Sequence, residues 1–492
     1  ILTFFSMSSF LFLIPFVAAF AIIFGSPARL TARAAAVATF LLGLYAAATW
    51  SNSGMWSFTF SALTIPSIDM AFGFINGTSA VMVALAVTVL LAAVFSGQSP
   101  EGREKLYYAS SLFIGAGAIG AFVSTDLFFF YAFHELALIP TFLMIGLLGR
   151  GNRKEIAWKI TIYLGVGSLV LLAGLVWLAR EAGTYNILAM LEAKKAGTLA
   201  IEAGTQKSIA ALLIVGFGIL VSLFPFHSWA APAYASAPAP TAMLHAGVLK
   251  KFGLYGLLQL SVPLLPEGMN AWLTPLLVLL LGNILWVGLV TISQKRLDSM
   301  LGHSSVMHMG YIFLALAAVV ASNAAGKTNE FGIPAATVLM FAHGISIAML
   351  FGLADRIEQR TKSLDFSDLG GLAKPAPLLA FLFGMAGMAS LGLPGLANFS
   401  GEVMVFLAGF EGREASAALG PVQIATILSL WGVVISAVYV LRGFRKTFQG
   451  PTVSATASVA DLTLVEKIPA VLLAAALLIV GIYPRILLQL LS

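Results

Sequence analysis

The chain has 492 residues, of which 59% are hydrophobic and only 10% are charged. A soluble protein carries about 25% charged residues, so this composition excludes a water-soluble globular protein and indicates a surface that faces lipid. The sequence has no cysteine, which excludes disulfides, zinc-thiolate sites and iron–sulfur clusters held by this chain. The formal charge of +6 is explained by cationic loops of a membrane protein, and nucleic acid is not an expected partner.

Fourteen segments are apolar enough and long enough to cross a bilayer, which takes about 20 residues of helix. They fall near residues 3–24, 32–50, 74–96, 105–123, 125–148, 156–179, 207–228, 237–262, 272–293, 297–321, 332–356, 377–410, 421–441 and 466–490. The fourth and fifth segments are divided at Ser124-Thr125-Asp126, because one helix through both would be too long and this tripeptide can cap a new helix. The sequence predicts an all-α polytopic membrane protein that starts with a transmembrane helix, not a signal peptide.

Lysine and arginine are concentrated in the loops that follow the odd-numbered segments. These cations are Arg29, Arg33, Arg103, Lys105, Arg150, Arg153, Lys154, Lys295, Arg296, Arg356, Arg360, Lys362, Arg442, Arg445 and Lys446. The loops after even-numbered segments carry fewer, apart from residues 180–207, where glutamates partly balance the cations. The positive-inside rule then places the odd loops in the cytoplasm and both termini on the outer side.

Several ionisable side chains lie inside the predicted membrane helices, where each costs roughly 2.5–3.5 kcal/mol on insertion scales. The candidates for an ion or proton pathway are Glu135 in segment five, Lys159 in segment six, His245, Lys250 and Lys251 in segment eight, His308 in segment ten, His343 in segment eleven and Glu402 in segment twelve. Buried carboxylates and lysines exchange protons nearer neutral pH than they do in water, and histidine already titrates there. A row of such groups bridged by water can pass protons without a cofactor.

Structural roles stay open for part of this set. Lys159 lies near a helix end and can extend its amine to the membrane interface. His308 and the nearby His303 can lock neighbouring helices together by hydrogen bonds. Glutamate is shorter and reaches less far, so Glu135 and Glu402 argue more strongly for a pathway.

Proline interrupts two of the predicted helices, at Phe224-Pro-Phe-His227 in segment seven and at Leu391-Gly-Leu-Pro-Gly395 in segment twelve. Proline removes a backbone donor and opens the helix, and two such breaks in corresponding places indicate two inverted five-helix repeats, helices 4–8 and 9–13. The predicted units are residues 1–103 with helices 1–3, residues 104–262 and 272–449 for the repeats, and residues 466–492 for helix 14. Residues 229–240 are predicted as a re-entrant connection. The alternative is that Pro225 and Pro394 only kink their helices for packing.

Motifs along nearly the whole chain carry a family resemblance. They are Phe133-His-Glu-Leu-Ala-Leu-Ile-Pro140, Lys159-Ile-Thr-Ile-Tyr163, Pro225-Phe-His-Ser-Trp229, Ala246-Gly-Val-Leu-Lys-Lys-Phe-Gly-Leu-Tyr-Gly256, His303-Ser-Ser-Val-Met-His-Met-Gly310, Ser390-Leu-Gly-Leu-Pro-Gly395 and Phe399-Ser-Gly-Glu402. On these residues the chain resembles the antiporter-like membrane subunits of proton-pumping NADH:quinone oxidoreductase, respiratory complex I. The NuoM type is favoured because Glu402 stands where the sister subunits usually carry lysine.

The resemblance implies a fourteen-helix subunit with broken helices seven and twelve, in a bacterial inner membrane with both termini periplasmic. It implies a buried polar axis in which Glu135, Lys251, His308, His343 and Glu402 match family positions. Redox chemistry in other subunits would drive protons through this chain, which is expected to hold no cofactor. Flavin, iron–sulfur clusters and quinone are expected in partner subunits. The expected partners are other membrane-arm subunits, including neighbouring antiporter-like subunits, and the lipid bilayer.

The sequence departs from the family pattern in helix seven. Leu220 occupies the position of a family lysine that partners the helix-five glutamate. Two hypotheses follow. In the first, Lys250, His245 or Lys159 substitutes for that lysine and pumping persists by an altered route. In the second, the first half-channel does not conduct, and the subunit only couples or scaffolds.

Three classes of function compete for this sequence. The first is a redox-driven proton-translocating subunit, and the second is a cation/proton antiporter subunit of the Mrp type without a redox partner. The third is a membrane subunit of a hydrogenase or of a bicarbonate-uptake complex, which reuse the same fold. The sequence shows no nucleotide-binding glycine loop or metal-thiolate set, so the chain is predicted to carry out no redox chemistry itself.

Overall fold

A computed structural model describes residues 7–51, 53–64, 67–414 and 418–491, and all fourteen predicted segments are helical within these residues. The helices that each form one span are α1 (Met7–Ile23), α2 (Ala28–Ala48), α3 (Gly77–Ser96), α4 (Glu104–Val123), α5 (Leu127–Leu148), α6 (Arg153–Ala182), α9 (Leu273–Ser293, with a π-helical turn at Gly282–Val287), α10 (Leu297–Ala324), α11 (Gly332–Thr361), α13 (Pro421–Phe448) and α14 (Leu464–Ile482). The start of the first predicted segment, residues 3–6, lies outside the described residues. The predicted helical membrane fold is confirmed.

Three spans are built from pieces. Helix α7 consists of Ala203–Val221 and Ala230–Ser236, and α12 consists of Pro377–Ser390 and Ala397–Phe410. Helix α8 covers residues 239–264, as Ala239–Leu244, a π-helical turn His245–Leu249, Lys251–Gly256, a second π-helical turn Leu257–Ser261, and Val262–Leu264. A π-helical turn widens the helix and is frequent at functional sites. Lys250 and Lys251 follow the first of these turns directly.

The break in α7 is held open by a side chain from α9. Pro225 has no N–H to donate, and Ser222 adopts a left-handed φ of 64°. Asn283 of α9 accepts a hydrogen bond from the Phe224 N–H at 2.6 Å and donates to the Ser222 carbonyl at 3.1 Å. The same amide donates to the Val306 carbonyl of α10 at 2.8 Å. A single buried asparagine thus satisfies two of the backbone groups that the break exposes.

The segment after this break differs from the predicted re-entrant connection. Residues 230–236 form a short helix that is the second half of α7. The segment is rich in alanine, which is the best helix former, and Pro232 lies in the first turn, where proline is tolerated. The prediction of a re-entrant connection over residues 229–240 was therefore wrong.

The break in α12 relies on glycine. Gly392 and Gly395 have φ angles of 71° and 90°, which glycine adopts without strain. Pro394 lies between them. Both sets of five spans, α4–α8 and α9–α13, thus have a broken fourth member. Because five is odd, the second set begins on the opposite side of the membrane from the first, so the repeats are inverted, as predicted. The domain boundaries given above stay a prediction.

Helices α3, α4, α10 and α11 are almost wholly buried and form the centre of the bundle. Polar contacts tie α3 to its neighbours: Thr78 to Thr337 of α11 at 3.2 Å, and Ser79 to Tyr255 of α8 at 2.6 Å. The ionisable side chains of α10 and α11 therefore lie at the centre of the protein.

Shorter elements join the spans. They are the helices Ser53–Trp56, Ile187–Lys195, Pro266–Ala271 and Arg485–Leu488, and an antiparallel hairpin of β1 (Phe58–Thr64) and β2 (Ser67–Phe72) between α2 and α3. The hairpin was not predicted. The buried ring of Phe72, at its end, packs on Phe12 of α1 and Phe133 of α5 at centroid distances of 4.8 and 5.8 Å. The hairpin thus packs against the helical bundle.

Candidate functional site

Lys251 and His343 form the closest contact between ionisable groups at the centre of the bundle. The Lys251 amine lies 2.9 Å from His343 Nδ1 and donates to the Ala246 carbonyl at 2.5 Å. Both side chains are buried, Lys251 at 0% exposed and His343 at 1%. No carboxylate in the described part of the chain pairs with Lys251. The amine and the imidazole can therefore share one proton through a direct hydrogen bond.

His308 of α10 extends this pair toward the second broken helix. The rings of His308 and His343 are 5.5 Å apart, centroid to centroid. His308 Nδ1 lies 2.8 Å from the Ser304 carbonyl, and Nε2 lies 2.9 Å from the Ser390 carbonyl at the end of the first half of α12. Lys251, His343 and His308 thus form a buried row from α8 to α12, in which Lys251 and His343 are in direct contact and the two histidine rings are neighbours.

Glu402 lies in the second half of α12. It is 5% exposed, and among the described residues its carboxylate has no ion-pair partner. The carboxylate lies against Gly392, where a Cβ would overlap it. Gly392 is two residues from Ser390, so the acid and His308 approach the same break from different helices.

Lys250 points away from Lys251. Its amine, 1% exposed, lies 3.4 Å from Ser305 Oγ and 5.5 Å from the centre of the Tyr234 ring. His245 Nδ1 lies 3.4 Å from the Tyr234 hydroxyl, and His245 Nε2 has no hydrogen-bond partner in the described structure. Tyr234 therefore sits between the second lysine and His245.

Glu135 lies apart from this row. Its side chain is 33% exposed and lines a cavity of about 250 Å³ between α5 and α6. It accepts a hydrogen bond from Ser168 at 2.5 Å, and His134 Nδ1 lies 3.4 Å away. Leu220, 3% exposed, packs on Gly167 next to Ser168. An apolar side chain thus lies beside Ser168 at the position where the family resemblance implies a lysine partner for Glu135.

Lys159 is also separate. It is half-buried on α6, and its amine lies 6.0 Å from the centre of the Tyr163 ring. The structure does not bring it into hydrogen-bond contact with the other predicted residues that it describes. Of the eight predicted site residues, the structure thus joins Lys251, His343 and His308, and it leaves Lys159 on the periphery.

Two polar groups that complete the site were not singled out from the sequence. The Ser390 carbonyl meets His308, but a backbone group leaves no trace in residue type. Asn283 fixes the break of α7. A lone asparagine in the apolar run of α9 is the signal that points to it, because an unsatisfied amide in the membrane is costly.

The fold and the site define the class of protein: a polytopic helical membrane protein with a broken helix in each half and ionisable side chains across its core. The chain matches the family described as NADH:quinone oxidoreductase/Mrp antiporter, TM, over residues 124–429, and it belongs to this family. The matched region contains all eight predicted site residues.

Individual relatives match over most of the chain. NAD(P)H-quinone oxidoreductase chain 4 of Thermosynechococcus vestitus is 30% identical over 461 residues, which cover 92% of this chain and 84% of that protein. NADH-quinone oxidoreductase subunit M of Rhodobacter capsulatus is 30% identical over 472 residues, or 93% of this chain and 88% of that protein.

Solved structures share the fold. A chain of respiratory complex I from Thermus thermophilus has a TM-score of 0.87 at 27% identity, covering 98% of this chain and 97% of that one. A chain of the Mrp complex from Dietzia sp. has a TM-score of 0.81 at 19% identity and covers 99% of this chain and 96% of that one, which shows the fold alone. The resemblance inferred from the motifs is confirmed.

Proposed function

We propose that this chain is a proton-translocating membrane-arm subunit of a complex I-like oxidoreductase, driven by redox chemistry in other subunits. The observation that supports the proposal best is the buried row of Lys251, His343 and His308, which leads to the break where Glu402 lies. These four groups all titrate, and they lie on four different spans. Burial of so many ionisable groups is costly in a membrane and marks an ion or proton path.

Proton transfer along this row needs no group beyond the side chains and water. The Lys251 ammonium can give a proton to His343 Nδ1 through their hydrogen bond, which leaves a neutral amine. His343 can pass a proton to His308, and Glu402 can receive it as a carboxylate. Each transfer breaks one N–H bond and forms one N–H or O–H bond. A change in charge at one group alters the preference of its neighbour, because interactions are strong where water is excluded.

The proposal extends to location and partners. The arginine- and lysine-rich loops support an orientation with both termini on the periplasmic side of a bacterial inner membrane. Other membrane-arm subunits, including antiporter-like neighbours, would cover the membrane-embedded surface at which the Glu135 side chain is partly exposed. Flavin, iron–sulfur clusters and quinone belong to the partners. The proposal is compatible with either a nicotinamide or another carrier as the electron donor to the partner subunits.

A cation/proton antiporter subunit of the Mrp type is the second candidate. The family covers both classes, and the fold matches a chain of an Mrp complex. The two candidates differ in their partners and in the ion they move. Sequence identity to quinone oxidoreductase subunits of about 30% over most of the chain favours the first candidate.

Purification of the intact complex through a tag on this chain tests the choice. The proposal predicts that subunits with flavin and iron–sulfur clusters co-purify, and that the reconstituted complex moves protons when quinone is reduced. Sodium-dependent proton exchange by a complex without redox subunits would instead support the Mrp candidate and contradict the proposal.

A further inference from the structure

His308 is held between two carbonyl oxygens. Nδ1 lies 2.8 Å from the Ser304 carbonyl, one turn earlier in α10, and Nε2 lies 2.9 Å from the Ser390 carbonyl of α12. The side chain is 0% exposed. A carbonyl oxygen only accepts hydrogen bonds. Each ring nitrogen therefore needs a proton to make its contact favourable.

The Ser390 carbonyl depends on this contact. In a continuous helix it would accept from the backbone N–H four residues later. That residue is Pro394, which has no N–H. The nearby Leu393 N–H donates to Met388 instead, and among the described residues no other backbone N–H reaches Ser390 across the break. His308 Nε2 is therefore the donor that satisfies this buried carbonyl.

A neutral histidine carries one ring proton and cannot serve both carbonyls. With the proton on Nε2, the lone pair of Nδ1 would face the Ser304 oxygen at 2.8 Å. With the proton on Nδ1, the Ser390 carbonyl would lose its donor. Only the imidazolium form satisfies both contacts. The carbonyl end of a helix also carries partial negative charge, which favours a cation at this point.

We propose that His308 is the proton-storage residue of the second half of the protein, held as an imidazolium by the carbonyl that the broken helix α12 leaves free. This inference rests on the proposed function. His308 is loaded when His343 gives up a ring proton and a new N–H bond forms on His308. It is discharged when the Nε2 proton passes to the Glu402 carboxylate, which becomes a neutral acid at the same break. Discharge leaves the Ser390 carbonyl without a donor, so the empty state is the less stable one and reloading is favoured.

The groups that surround His308 set the balance of charge around it. Burial and the neighbouring amines disfavour an imidazolium, whereas the two carbonyls favour it. The titratable side chains around it are Tyr311 on its own helix, and Lys250 and Lys251 of α8, His343 of α11, Glu402 of α12 (against Gly392) and Tyr439 of α13 (bonded to Ser304) on the helices packed against it.

His303 provides a matched control in the same helix. Its Nδ1 lies 2.8 Å from the Ser299 carbonyl one turn earlier, which reproduces the Nδ1 contact of His308. No second carbonyl in the described structure meets its Nε2. The same reasoning therefore predicts that His303 is neutral, with a single ring proton.

The test is the protonation state of the two rings in the intact complex. The complex is labelled with ring-¹⁵N histidine, placed in lipid and examined by solid-state NMR near pH 7.5. Signals are assigned by their loss in His308→Gln and His303→Gln. We expect two protonated ring nitrogens for His308 and one protonated nitrogen for His303. An unprotonated ring nitrogen on His308 would overturn the inference.

A second variant keeps His308 in place. Pro394→Ala restores a backbone N–H that can bond to the Ser390 carbonyl, and we expect His308 to shift toward the neutral form. An unchanged imidazolium signal would show that the freed carbonyl does not hold the proton, and would contradict the proposal. If His308 is neutral while Lys251→Met still abolishes proton transfer, this inference fails and the proposed function stands. If His308 is neutral and Lys251→Met leaves proton transfer intact, both fail.

Discussion

Leu220 limits which polar groups contact Glu135. The side chain of Leu220 packs beside Ser168, which donates to the Glu135 carboxylate, so no cation enters from α7. The other polar neighbour of Glu135 is His134, 3.4 Å away. The His134 ring stacks on Phe252 at 4.1 Å, beside Lys251 in the chain. We therefore expect a route from Glu135 toward the lysines of α8 to start at His134.

Glu135→Gln tests whether this route conducts. Removing the carboxylate removes a group that can hold a proton, while the amide preserves the volume and the contact with Ser168. We expect fewer protons moved per electron in the reconstituted complex. A proton-to-electron ratio equal to that of the unaltered complex would instead support a first half that does not conduct. Glu181→Gln, on an exposed part of α6, is the control for removing a charge.

At the scale of elements, Asp126 starts α5 as the sequence predicted. Its carboxylate accepts hydrogen bonds from the Phe128 and Phe129 N–H groups at 2.8 and 3.3 Å. Burial raises the pKa of Asp126 from 3.8 to about 6, although these two backbone bonds lower it. The folded protein therefore binds more protons than the unfolded chain at a pH between these two values. Stability from this group is present below about pH 4 and is lost as the pH rises through about 6.

Asp126→Asn should show this pH dependence. The amide oxygen keeps the helix cap but carries no charge. The thermal unfolding midpoint of the variant, relative to the unaltered protein, should rise between pH 4 and pH 7. A difference in unfolding midpoint that stays constant over this pH range would contradict the raised pKa of Asp126. Asp126→Ala removes the cap as well as the charge, so it should follow the same pH trend, displaced by a further destabilisation of about 1 kcal/mol from the lost hydrogen bonds.

Sequence patterns predicted the elements better than their contacts. Apolar length located all fourteen spans, and proline located both breaks, because these features depend on local residue type. The helix of residues 230–236 was missed because its prolines and its position after a break suggested a loop. The contact of Lys251 with His343 joins residues 92 positions apart. Such a contact depends on how α8 and α11 pack, which no local pattern contains. The separation of Lys159 from the row has the same cause.

At the scale of the whole molecule, the proposed orientation in the membrane rests on the loop charges. The loop of residues 180–207 is the exception, since it carries cations on the side assigned to the periplasm. Lys154 lies in the first turn of α6, and Lys195 ends the short helix Ile187–Lys195 that follows α6 in the chain; both are exposed. They therefore distinguish the two sides of the membrane across a single helix.

Because the chain has no cysteine, single cysteines report the orientation directly. In intact cells, a membrane-impermeant maleimide should label Lys195→Cys and not Lys154→Cys. Inverted vesicles should show the reverse, and the unaltered chain should not react. Labelling of Lys154→Cys from outside would invert the proposed orientation.

Proton flux through the complex with Lys251→Met tests the central claim most directly. Methionine fills a similar volume but cannot hold a proton, and removing a positioned proton-transfer group costs on the order of 100-fold in that step. Lys374→Met, at an exposed loop position, controls for removing a lysine. The account predicts that Lys251→Met assembles but moves far fewer protons during quinone reduction than Lys374→Met. Equal proton flux in the two variants would contradict it.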